Sequence, residues 1–291
     1  MKKFQLLFIM ALAMVVVLVV ACVNVISDDE TTEEMFAGKD ITFQVTGLGL
    51  AEFGADTRAE VNISNLCSRL SLALYQNGTR VQKIDQTAED NDDFGTLSAH
   101  LPYGTYTLVC LAHSSDGNAT TTNAEKISFP SNHVTDTFLK TMEIVVDENT
   151  EKELNLSLTR VVSKFEIYLT DKFPEEVALM EIKYTGGSST INAITGYGPT
   201  NSRQHEEFEI TDENISGGFG VYTFLHDEEG KLKFTITAYD ADDNEVYSRV
   251  FENVPMKRNT ITRYKGNFFG KGFNGSITAD DTWEYTDVEF D

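Results

Sequence analysis

Leucine stands at every second position from Leu154 to Leu158, with Asn155 and Ser157 between, and such period-two runs recur along the chain. Apolar residues two apart share one face of an extended strand, whereas a helix needs spacings of three and four. Ile41, Phe43 and Val45 alternate with Thr42 and Gln44; Leu70, Leu72 and Leu74 form a second run; Leu232, Phe234, Ile236 and Ala238 form another. Turn signals separate them. Asn77-Gly78 marks a hairpin, because both residues tolerate positive φ. Pro102-Tyr103-Gly104 leads into residues 105–112, and 240–244 turn the chain back into 245–254. Residues 261–269 and 283–290 read as closing strands. No segment reads as a long amphipathic helix, and short helical turns are expected only over 175–180 and 212–215. The pattern predicts an all-β chain of two antiparallel β-sandwich domains.

The phase of the alternation changes once. Even positions carry the apolar set at Leu154, Leu156 and Leu158, and odd ones carry it at Phe165, Ile167 and Leu169. A one-residue slip turns a strand over, so the chain either bulges here or enters another sheet. The expected domains are an N-terminal sandwich over 40–160 and a C-terminal one over 161–291.

Ahead of these, Lys2 and Lys3 precede an apolar run over residues 4–21 in which only Gln5 is strongly polar. That is a secretory signal pattern, with a retained transmembrane anchor as its rival. Val19-Val20-Ala21-Cys22 resembles the lipobox of bacterial lipoproteins, with valine where leucine is commonest. The resemblance implies a signal peptide over 1–21, cleavage between Ala21 and Cys22, and fatty acyl chains such as palmitate on Cys22. Several acyl chains hold a protein far more firmly than one. Residues 22–39 carry Asp28, Asp29, Glu30, Glu33 and Glu34 against Lys39, too polar to bury a core, and read as a flexible acidic tether. Ser27-Asp28-Asp29-Glu30 also resembles an acidic tag that exports lipoproteins to the cell surface; a plain solvated linker is the alternative.

Forty-six acidic residues against 23 basic ones give a net charge of −23. This excludes nucleic-acid binding, which needs Lys and Arg to displace counterions. It also excludes docking of the protein surface on anionic lipid. Cys67 and Cys110 remain after Cys22, in strand-like segments of a compartment where disulfides persist. Either they pair or they stay as separate buried thiols, since strand faces alone do not bring the sulfurs together.

The residues carry no recognisable catalytic pattern. His100, His113, His133, His205 and His226 are scattered without metal-ligand spacing, and no nucleophile elbow or phosphate loop is present. Residues 240–245 lack the glycine and distant glutamate of an EF-hand, so a hairpin turn is expected there, as it is at 90–93. Gly217-Gly218-Phe219-Gly220 has no following helix or nearby lysine and reads as a loop. No enzyme activity, cofactor or metal is expected.

Several segments are similar to type V (fimbrillin-type) pilus proteins. Leu101-Pro102-Tyr103-Gly104-Thr105-Tyr106 looks like that family's strand motif, and Thr135-Asp136-Thr137-Phe138-Leu139 follows at the usual distance. Leu158-Thr159-Arg160-Val161-Val162-Ser163-Lys164-Phe165-Glu166 and Asp171-Lys172-Phe173-Pro174 resemble the opening of its second domain. Arg258-Asn259-Thr260-Ile261-Thr262 with Gly266-Asn267-Phe268-Phe269 resembles its closing strand. The closest likeness is to the minor, anchoring fimbrial subunits, the FimB/Mfa branch. The resemblance implies two transthyretin-like sandwiches in an outer-membrane, lipid-anchored protein at the cell surface, with fimbrial pilin subunits as partners joined by β-strand complementation.

Stalk precursors of that family are cut after an arginine, which removes the first strand. Arg58-Ala59, in a small polar stretch after 41–45, is the matching position. An anchor keeps its lipid and first strand; a stalk or tip pilin matured after Arg58 loses both. A glycan-binding surface lipoprotein with a host or glycan ligand is a further alternative, although the single tryptophan, Trp283, falls in a closing strand.

Overall fold

The computed structural model describes residues 37–49, 63–211, 215, 218–269 and 275–280. Cys22, Arg58, Ala59 and Trp283 lie outside these residues. The described chain is nearly all β. The first half carries β1 (Gly38–Gly49), β2 (Arg69–Gln76), β3 (Thr79–Thr87), β4 (Thr96–Pro102), β5 (Gly104–His113), β6 (Ile127–Ser128), β7 (Phe138–Val146) and β8 (Glu153–Arg160). The second carries β9 (Ser163–Leu169), β10 (Leu179–Gly187), β11 (Thr190–Ile191), β12 (Ser202–Glu209), β13 (Phe219–Thr223), β14 (Glu229–Tyr239), β15 (Glu245–Lys257), β16 (Ile261–Gly266) and β17 (Gly275–Asp280).

In the first half one sheet runs β3-β2-β5-β7-β8-β1-β4 and folds over at β7–β8, where only Phe138↔Arg160 and Leu139↔Thr159 pair. The second half layers β12-β10-β14-β15 on β13-β9-β16-β17. Each sandwich buries the alternating residues of its strands. Phe43, Leu72, Leu108 and Leu156 meet in the first core, and Phe165, Tyr184, Phe234 and Tyr264 in the second. Phe165 stacks on Phe234 with ring centroids 4.0 Å apart. The phase change marks passage into another sheet: β8 ends at Arg160 and β9 begins at Ser163, with buried Val161 and Val162 between.

A third core, invisible in the alternation, lies between the sandwiches. Ala73, Val109 and Leu111 of the first half pack with Ile191, Phe224 and Ile261 of the second. β6 and β11 pair across this seam, Ile127 with Ile191 and Ser128 with Thr190. Thr141 donates its hydroxyl to the Ala193 carbonyl (2.7 Å).

Turns follow the sequence logic in most places. Asn77 and Gly78 hold φ of 50° and 76° at the β2–β3 hairpin. The Asp240 carboxylate accepts the N–H groups of Asp242 and Asn244, each at 2.9 Å, closing the β14–β15 turn. Gly218 sits at φ +78° where a Cβ would meet the Ile167 carbonyl oxygen at 2.6 Å, so the loop there needs glycine. One expectation needs correction. Residues 175–180 form no helical turn: Val177 closes a turn on Pro174, and Leu179 and Met180 are drawn into β10 by pairing with Tyr239 and Ala238. Of the two alternatives for Cys67 and Cys110 the separate one holds: both are free and buried. Cys110 lies opposite Leu72 within the paired strands, while Cys67 stands ahead of β2. Burial pushes the Cys110 thiol up to about 12 and raises Cys67 as well, so neither is a ready nucleophile.

His113 ends β5 fully buried. Its Nδ1 accepts the Ser115 N–H (3.2 Å), and its ring meets Phe129 edge-on at 5.1 Å. Burial lowers its pKa to about 4, helped by the charge of Arg69 and opposed by Asp85. The unfolded chain takes up that proton near 6.5, so between there and about 4 it binds more protons than the folded chain. The contribution of His113 to stability is therefore expected to fall as pH drops through that window, by up to about 3 kcal/mol, and to be flat above it. Urea midpoints at pH 7.5 and 4.5 check this; His113→Phe should show a smaller drop than the native protein.

Candidate functional site: the first strand and its slot

β1 begins within the family of alternating residues read from the sequence but runs longer, from Gly38 to Gly49. Ile41 and Phe43 are 1% and 0% exposed and reach the first core. A bulge between Val45 and Gly47 shifts the register, after which Leu48 rather than an odd-numbered residue faces inward. The strand is interior. On one side it pairs in parallel with β8, from Thr42↔Glu153 to Gly49↔Thr159. On the other it lies beside β4, linked by Val45 N–H to the Gly95 carbonyl (2.9 Å) and by Thr42 Oγ1 to Ser98 Oγ (3.1 Å). The Asp40 carboxylate meets His100 Nδ1 at 2.9 Å, and Lys39 donates to the carbonyls of Glu148 (2.8 Å) and Thr150. Taking β1 out would uncover core side chains and a line of backbone donors and acceptors on two flanking strands. Such a slot accepts an extended segment and selects it by side-chain fit.

Three of the segments that resemble pilus proteins, 135–139, 158–166 and 258–262, meet where β8 passes into β9. Arg160 holds Asp136 with two parallel hydrogen bonds, Nε to Oδ1 at 2.8 Å and Nη2 to Oδ2 at 3.0 Å. Their side chains are 0% and 13% exposed. The Arg160 guanidinium lies 4.8 Å from the Phe138 ring centre, and Nη1 reaches Asn259 Oδ1 at 3.4 Å. Val161 N–H bonds the Thr137 carbonyl, and Asn259 N–H bonds that of Val162. Asp171 Oδ2 accepts the N–H groups of Phe268 (2.8 Å) and Phe269 (2.6 Å). Tyr106 donates its hydroxyl to the Pro102 carbonyl (2.7 Å), pinning the start of β5. These motif residues fix the scaffold; none converges on a cleft.

Among the described residues there is no group of three or more His, Cys, Asp or Glu side chains placed to hold a metal ion. No helix among them is long and apolar enough to cross a membrane. Glu166 is held by Lys164 and by Arg263, whose Nη2 lies 2.8 Å from Oε2, which makes it a structural carboxylate. The interior position of β1 was beyond sequence reasoning, because alternation reports a buried face and not which strands lie alongside.

A tandem of two β-sandwiches, with its first strand built into the core, is the class of protein that this fold and slot define. The chain belongs to a family of unknown function, DUF6562, whose profile matches residues 38–289. Among proteins of curated function none matches. One solved structure shares the fold, and others are similar to it. A candidate adhesin from Bacteroides ovatus is 13% identical, with a TM-score of 0.51 over 85% of this chain and 98% of that one. The tip fimbrial protein Mfa3 from Porphyromonas gingivalis is 10% identical, with a TM-score of 0.45 over 83% of this chain and 99% of that one. A fimbrial assembly protein from Parabacteroides distasonis is 12% identical, with a TM-score of 0.42 over 84% and 99% of the two chains.

Proposed function

We propose that the chain is a non-enzymatic surface lipoprotein that serves as the anchor or accessory subunit of a type V fimbria. Its Cys22 carries lipid in the outer membrane, and its sandwiches join pilin subunits by strand complementation. The observation that carries this is the position of β1. The first strand after the acidic tether is also an interior strand, bonded on both sides and buried through Ile41 and Phe43. Lipid, tether and core strand are thus one covalent piece. An anchor retains that piece, so the lipid is tied to the core of the fold. The pilus-like motifs and a fold shared with a candidate adhesin support the fimbrial setting.

The same observation favours one other reading. Arg58 follows β1 and precedes β2 in the sequence, so a cut after it would release lipid and strand together and open the slot. Such a product is a stalk or tip pilin. N-terminal analysis of the mature protein recovered from cells separates the two: a blocked Cys22 is expected for the anchor, and a start at Ala59 would replace it with the pilin. Cys22→Ala is expected to move the protein from the membrane fraction to the medium; retention of that variant would overturn the lipid anchor.

A further inference from the structure

The two sandwiches repeat one topology. β3-β2-β5-β7 of the first matches β12-β10-β14-β15 of the second, and β4-β1-β8 matches β13-β9-β16. Their registers correspond as well. Thr42 N–H bonds the Lys152 carbonyl, and Lys164 N–H bonds that of Thr260. The parallel pairs begin at Thr42↔Glu153 in one half and at Lys164↔Ile261 in the other. Residues 153–158 of β8 are therefore the counterpart of Ile261–Gly266, the whole of β16. Leu154, Leu156 and Leu158 hold the inward positions that Thr262, Tyr264 and Gly266 hold in the second half.

One edge differs. β16 is bonded on both sides, by β9 and by β17, which pairs antiparallel from Ile261↔Asp280 to Gly266↔Gly275. β8 has β1 on one side, while on the other β7 reaches only Thr159 and Arg160. Among the described residues nothing pairs with 153–158 on that side. β3 with β12 and β4 with β13 are sheet edges in both halves, and β15 ends its sheet where β7 goes on to β8, so β8 is the strand of the first half that lacks a neighbour its counterpart has. In a parallel ladder alternate residues turn both backbone groups to the same neighbour. The Thr42–Lys152 bond gives Leu154 and Leu156 to β1, which leaves the N–H and C=O of Glu153, Asn155 and Ser157 on the outer edge. Beside that edge Leu154 and, on β7, Met142 are only partly buried against the first core.

We propose that the outer edge of β8 takes an extended segment of a partner protein, added antiparallel in the position that β17 holds on β16. The chain's own β17 is already bonded to β16, and we assign the added strand to another protein. The repeat also states the chemistry of the occupant. It spans about six residues, with apolar side chains opposite Leu154 and Leu156, where Ala279 and Ile277 stand opposite Thr262 and Tyr264 in the second half. It carries a neutral or basic residue opposite Glu153, because that position answers to Asp280 and the protein already bears a charge of −23. The role of this strand in joining subunits rests on the fimbrial reading; the open edge itself does not.

The probe is a synthetic octapeptide of residues 274–281 carrying Asp280→Lys, added to the full chain while backbone amide exchange is followed by NMR. Without peptide, the amides of Glu153, Asn155 and Ser157 are expected to exchange at least about tenfold faster than those of Leu154 and Leu156, and peptide should slow them about tenfold. Asn155→Pro removes an outward N–H that the β1 ladder does not use, and edge positions tolerate proline. It should abolish the slowing and leave Leu154 protected. Should that variant fail to fold, Glu153→Lys serves instead, and is expected to reverse the preference from the lysine peptide to the unmodified one. Protection of all three amides before peptide is added would show that the chain covers this edge itself and would overturn the proposal. So would the absence of any slowing at millimolar peptide. Neither result touches the lipid on Cys22 or the cut at Arg58, which N-terminal analysis reads separately.

Discussion

A chain beginning at Ala59 is expected to lose the cooperative unfolding of its first sandwich, and to regain it when a peptide of residues 38–49 is supplied. The truncation removes Ile41, Phe43 and Leu48, all buried. Each such side chain contributes about 1.5–3 kcal/mol through burial alone. The cavity left behind adds to the loss, since the surroundings collapse only in part. Together these are comparable with the whole net stability of a domain, about 5–15 kcal/mol. The backbone groups of β8 and β4 that face β1 lose their partners as well. Peptide returns both the side chains and the ladder, so recovery should saturate with peptide concentration. Urea unfolding followed by circular dichroism measures it, with a Phe43→Ala peptide as the weaker competitor. An unchanged urea midpoint for the truncated chain would mean that β1 is dispensable to the core.

Arg160→Ala is expected to destabilise the protein by about 3–5 kcal/mol, because it strands the Asp136 carboxylate in a buried site. The pair is held by two hydrogen bonds of 2.8 and 3.0 Å with the Arg160 side chain fully covered. Removing both charges should cost less than removing the arginine alone, since no unpaired ion then remains. Arg160→Lys keeps the charge but not the fork, and should fall between wild type and Arg160→Ala. Chemical denaturation of the three variants, with Asp136→Ala completing the cycle, measures the coupling. Equal losses for the single and double replacements would mean that the lost stability is packing over Phe138 rather than charge.

Strands that bury one face were legible in the sequence. Leu154, Leu156 and Leu158 announced β8, and Ile41, Phe43 and Val45 announced the start of β1. The end of β1 was not, because the bulge after Val45 moves the inward positions from odd to even and breaks the period. The third core was hidden for a different reason. β2 and β5 are buried on both faces over much of their length, so Ala73, Val109 and Leu111 fall between the apolar residues of the first core. Alternation vanishes in such strands, and a continuous apolar run says nothing about a second surface. The Asp136–Arg160 pair joins residues 24 apart, and its two segments were read only as family motifs. Charge pairing depends on where a turn ends, which alternation does not encode. The open edge of β8 was equally out of reach, since it emerges only from superposing one half of the topology on the other.

The ladder on both flanks of β1 also sets how the fold answers to force. A pull on the chain ahead of Gly38 acts along the strand axis, and both long sides of the strand are bonded to neighbours that stay behind. Sliding the strand out must break many hydrogen bonds at once, in shear, whereas peeling an edge strand breaks them one by one. Tension applied at that end therefore meets the ladder of the first sandwich in shear rather than in peeling.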